Sequence, residues 1–145
     1  MASKLYGSFL VKSLNKEIDW DSDTIKVALL TNAYTPNQDT HDYFDDVSSN
    51  EVAATGGYTA GGETLASKTI TYDSGTNVIV LDAADLTWSA STITARYAVV
   101  YDATPGSNAT RPLIGYVDFG SDQSSSSGNF TITWDATGIV RITVA

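Results

Sequence analysis

Few residues in this chain could do chemistry, and their spacing gives them little to do. His41 is the only histidine and cysteine is absent. A zinc centre of the usual kind therefore has no ligand set. Disulfides, thiolate nucleophiles and iron–sulfur clusters are excluded with it. A serine triad needs a histidine beside a marked nucleophile, and no Gly-x-Ser-x-Gly elbow occurs. His41 reads as a solvent-facing loop residue. The run Asp19-Trp20-Asp21-Ser22-Asp23 opens like a calcium loop, but its sixth position is Thr24 where glycine is needed and its twelfth is Leu30 where an acid is needed. It reads as an exposed polar turn with no metal bound. Residues 56–62 (GGYTAGG) lack the Gly-Lys-Ser/Thr ending of a phosphate loop. Their glycines read as positions for tight turns with positive φ.

Carboxylates are plentiful, and no pair of them is marked by its surroundings for acid–base work. Trp20, Trp88 and Trp134 could line a sugar-binding platform. Phe130, Ile132 and Trp134 alternate along one strand, however, and Leu86 with Trp88 does the same, which reads as core. Arg96 interrupts an otherwise apolar strand and reads as one half of a structural ion pair. The sequence predicts no enzyme, no catalytic residue and no cofactor.

The elements that would position these residues are mostly strands. The 145 residues carry 42% hydrophobic and 17% charged side chains, enough apolar material for the core of one domain spanning residues 1–145. There is no long apolar run, so no membrane span is predicted, and no charged-then-apolar start that reads as a signal peptide. Eight basic against 17 acidic residues give a net charge of −9, which argues against nucleic acid as a partner. Strands are predicted over 24–31, 64–72, 78–81, 85–88, 92–101, 113–119, 129–134 and 138–144, separated by Gly, Asp, Asn and Ser turns. The strand at 92–101 is apolar on both faces and is predicted to be central. Residues 32–62 show no strand periodicity, with one helical turn predicted around Tyr43, Phe44 and Val47, begun by Asp39 or Thr40. Residues 120–128 read as an exposed, mobile serine-rich loop. The fold class is mainly β, an antiparallel β-sandwich or jelly roll with a short N-terminal helix.

That N-terminal segment, 1–18, reads as an amphipathic helix or a docking arm. Tyr6, Phe9, Leu10 and Leu14 follow a three-four spacing and form one apolar stripe, with Lys4, Lys12 and Lys16 largely off it. The stripe either closes one end of the chain's own sandwich or contacts a partner, with the lysines meeting acidic groups there.

The segments DWDSDTIKVALLT, YTPNQDTHDYFDDV, GYTAGGETL, TITARYAVVYD and PLIGYVDFG follow one another in this order between Asp19 and Gly120. In them the sequence resembles a family of small virion structural proteins of tailed bacteriophages. The resemblance implies a non-enzymatic capsid decoration or cement subunit located in the virion and assembled in the host cytoplasm. Its implied partners are the major capsid protein or other virion proteins, and further copies of itself, a trimer being favoured. A tail, neck or fibre component and a carbohydrate-binding adhesin module are the alternatives. No catalytic residue is carried over.

Overall fold

The computed structural model describes residues 2–145. The protein is mainly β, with antiparallel sheets and two short helices, in a sandwich-like arrangement. In chain order the elements are β1 (Ala2–Leu5), α1 (Phe9–Leu14), β2 (Ile25–Leu30), α2 (Asp45–Ser48), β3 (Glu63–Thr64), β4 (Thr69–Asp73), β5 (Val78–Asp82), β6 (Leu86–Ser91), β7 (Thr94–Asp102), β8 (Leu113–Ser124), β9 (Gly128–Ile132) and β10 (Val140–Thr143). A five-stranded sheet has the order β1-β8-β7-β2-β3. Two smaller sheets, β10-β5-β4 and β6-β9, lie against it.

β7 is the middle strand of the large sheet, and the reason is visible in its side chains. A strand apolar on both faces needs cover on both. On one face Ile25, Val27, Leu29, Ala98, Val100 and Ile114 pack with Trp88, Phe130 and Leu81 of the small sheets. On the other, Ala28, Leu30, Val99, Tyr101 and Leu113 pack with Tyr6, Tyr34, Phe44 and Val47. The second cover is thus the long loop of residues 32–62 together with the start of the chain, in place of a further sheet. Phe44 stacks on Tyr101 with ring centroids 4.0 Å apart. Tyr58 donates to Glu51 Oε1 at 2.6 Å while its hydroxyl accepts the Leu29 N–H at 3.0 Å, tying the far end of the loop to β2.

Three segments differ from the sequence expectation. Residues 2–5 form an edge strand paired with β8, so the N-terminal helix is confined to Phe9–Leu14. The loop helix begins at Asp45 instead of at Asp39 or Thr40, because Asp46 Oδ2 reaches back to the Asp42 N–H at 2.9 Å and fixes the first turn there. The serine-rich segment is strand as far as Ser124, since it pairs with β7 to that point, with the Thr94 and Ser124 hydroxyls 2.9 Å apart, and just beyond it Ser125 bonds Ser91 of β6 at 2.7 Å.

Gly62 shows how closely the loop lies on the sheet. It has φ +74°, and a Cβ there would overlap the Val27 carbonyl. Gly62→Ala is expected to lower stability by roughly 2–4 kcal/mol, combining backbone strain with a steric clash. Urea unfolding of the variant measures this, and a loss under about 0.5 kcal/mol contradicts the packing.

Candidate interaction surface at the N-terminal helix

β1 leads along β8 to Tyr6, whose N–H donates to the Ile114 carbonyl at 3.1 Å. The chain then reverses over Gly7, whose N–H reaches the Gln38 carbonyl at 2.8 Å, and enters α1. Tyr6 therefore precedes the helix, and the spacing from Tyr6 to Leu10 is not helical. This splits the stripe. Tyr6 is buried with its hydroxyl 2.8 Å from that of Tyr34 and its ring against Tyr116, and Phe9 is buried in the opposite core. Burial first, then the bond to Tyr34, pushes the Tyr6 hydroxyl pKa up. Neither residue is free to meet a partner.

Leu10 and Leu14 point outward, as does Val11, at 43%, 84% and 60% exposure respectively. Val11 escapes a reading of the sequence because a helix begun at Ala2 places it off the stripe. With the helix begun at Phe9, the inward positions are Phe9 and Lys12, and Leu10, Val11 and Leu14 share the outer side. Three large apolar side chains facing water on a six-residue helix make this face a candidate for interaction, as a lone exposed leucine would not be.

Lys12 corrects a second expectation. It does not wait for an acidic partner: it is 5% exposed, with Nζ 3.3 Å from Asp42 Oδ2, 4.0 Å from Glu17 Oε2 and 3.1 Å above the Tyr43 ring centre. A buried ammonium needs such compensation. Tyr43 closes the cluster by donating to Glu17 Oε2 at 3.1 Å. The clamp joins α1 to the acidic loop and holds the apolar face in one orientation. Lys4 and Lys16 are exposed.

The other sequence candidates fall elsewhere. His41 is half-buried instead of solvent-facing, because its Nδ1 sits 3.0 Å from the Tyr34 hydroxyl and its ring lies beside the Tyr34 ring. Trp88 is a core residue, as its alternation with Leu86 indicated, and Trp20 is buried as well. Trp134 is half-buried and lines a cleft of about 400 Å³ with Leu5, Lys4, Ile139 and Arg141. Arg96 holds Asp118 through two bonds, of 2.6 and 3.3 Å, at a register shift in β7. The run Asp19–Asp23 is a turn closed on itself: Asp23 Oδ2 accepts the Asp19 N–H at 2.7 Å, and Asp19 Oδ1 accepts those of Asp21 and Ser22, each at 3.2 Å.

Sequence reasoning passed over one buried acid. Asp102 ends β7 fully buried; its Oδ1 accepts the Thr104 N–H at 2.8 Å and its Oδ2 meets no donor. Burial, then the neighbouring Asp23 carboxyl group, pushes its pKa up to about 6.

The chain matches no family model, no curated protein and no solved structure. Geometry and sequence alone carry the functional reading.

Two measurements check this region. Between an unfolded pKa of 3.8 and a folded value of about 6 the native state binds the Asp102 proton more tightly. That proton's contribution is therefore lost as pH rises through this window and is constant above it, a change of about 1–3 kcal/mol. The exposed Asp19, Asp73 and Asp135 and the half-buried Asp118 are shifted downward and act with the opposite sign at lower pH. The difference between wild type and Asp102→Asn isolates the slope, and identical pH profiles contradict the assignment. Lys12→Ala is expected to destabilise by roughly 1–3 kcal/mol in thermal unfolding, since it removes the charge that Asp42 and Glu17 share. An unchanged melting temperature would show that the clamp contributes nothing.

Proposed function

We propose that this chain is a non-enzymatic structural subunit of a tailed-phage virion, a decoration or cement protein that attaches through the outer side of α1. The observation that carries this reading is the exposed Leu10, Val11 and Leu14 face on a helix pinned from behind by Tyr6, Phe9 and Lys12. A pinned apolar face costs little ordering entropy when it docks, so its burial translates into affinity. Burying these three side chains is worth roughly 1.5–3 kcal/mol each. The resemblance of the long sequence blocks to phage virion proteins supplies the partner, the major capsid protein or another shell component. The acidic surface keeps free subunits soluble before assembly.

A second reading, a carbohydrate-binding module, rests on Trp134 in its cleft, whose indole is fixed by a bond from Nε1 to the Ala84 carbonyl at 3.1 Å. Trp20 and Trp88, buried, contribute nothing to it.

The test is co-sedimentation with particles of a tailed phage that encodes the chain. The double variant Leu10→Asp, Leu14→Asp is expected to stay folded, with a melting temperature within a few degrees of wild type, and to lose particle binding. Binding equal to wild type excludes α1 as the attachment face, and failure of the wild-type chain to bind any such particle overturns the virion reading.

A further inference from the structure

β4, with the sequence Thr69-Ile70-Thr71-Tyr72-Asp73, is the outer strand of the β10-β5-β4 sheet, and all five of its residues are exposed. Edge strands left open to solvent are ordinarily guarded by a lysine, a proline, a bulge or a cover. β4 has none of the first three along its length, and it pairs with β5 in unbroken register. Lys68, which borders the strand, is tied to the Asp23 carbonyl and does not guard the edge.

The apolar content of β4 faces the wrong way for a solvent edge. Ile70 and Tyr72 lie opposite Leu81 and Ile79, on the sheet face that carries the core, yet they overhang it at 49% and 55% exposure. Trp20 Nε1 donates to the Thr69 carbonyl at 2.9 Å, so that carbonyl points away from β5. Alternation along an antiparallel strand then turns the N–H and C=O groups of Thr71 and Asp73 outward as well.

We propose that β4 pairs edge to edge with β4 of a second copy, antiparallel, about a two-fold axis at Thr71. In that register Thr71 faces Thr71, Ile70 faces Tyr72 on both sides of the axis, and Asp73 lies opposite Thr69, whose carbonyl stays with Trp20, so the new ladder bonds centre on Thr71. The two apolar pairs meet on one face of the joined sheet, and the threonines and aspartates meet on the other. Aromatic with β-branched pairs are among the favourable cross-strand combinations. No like charges stand opposite one another, whereas moving the axis to Asp73 would set two carboxylates face to face. The strand is complementary to itself in charge and in side-chain type, which is what an isologous contact requires. Five residues a side is below a standard-size interface, so the association is concentration-dependent.

Sedimentation velocity of the full chain over a concentration series tests this without any phage particle, so its outcome is independent of the virion reading. Wild type is expected to pass from monomer to dimer. Tyr72→Lys places a charge in each apolar pair, and Thr71→Pro removes an outward N–H while leaving the bonds to β5 in place. Each change is expected to weaken dimerisation by roughly tenfold or more. Circular dichroism confirms that each variant is folded, and either one suffices if the other is not. A wild-type chain that stays monomeric throughout overturns the proposal. So does a dimer or larger assembly whose strength neither substitution alters.

Discussion

A central strand that is apolar on both faces forces the rest of this structure. β7 has Tyr97, Val99 and Tyr101 on one side and Ala98 and Val100 on the other, and all are buried. Two small sheets supply one cover. The other is built from the loop of residues 32–62 and the turn into α1, and irregular chain serves as a core layer only if its backbone groups are satisfied. Hence the dense anchoring. The Phe44 N–H reaches the Arg111 carbonyl at 2.9 Å, the Leu113 N–H reaches that of Asp42 at 2.9 Å, and Glu51 Oε1 accepts both the Tyr58 hydroxyl and the Gly61 N–H.

The same demand explains the placing of the outward helix face. Once Tyr6 is committed to the loop-side core and Phe9 to the opposite one, α1 bridges the two layers at the edge of the large sheet. Its remaining apolar side chains have no interior left to enter. The Lys12 cluster then ties the helix to the acidic loop through Asp42, Glu17 and Tyr43. A surface of this kind is a by-product of closing the core, and the proposed attachment uses it.

The sequence discloses strands better than the layer made by the loop. Alternation in β6 and β9 and the two-faced apolar run of β7 follow from local pattern, which is why their places in the sheets are legible. The loop has no period to read. Its packing depends on contacts such as Phe44 on Tyr101, which join residues far apart in the chain, and only the glycine pairs and Phe44 with Val47 signal it. The N-terminal stripe misleads for a related reason. Tyr6, Phe9, Leu10 and Leu14 have helical spacing, but a strand end and a reversal occupy the first part of that window, so side chains that seem to share a face enter two different cores. Leu10 and Leu14 survive as candidates, Val11 joins them, and Asp102 is invisible beforehand because burial at a strand end leaves no mark in composition.

The claim that attachment runs through α1 is tested most directly by a cryo-electron microscopy map of the assembled particle at side-chain resolution. The account predicts Leu10, Val11 and Leu14 in van der Waals contact with a neighbouring shell subunit, while Tyr6 and Phe9 stay inside their own domain. A map in which the chain occupies the particle with α1 facing solvent, or in which particles of the encoding phage lack the chain altogether, would contradict it.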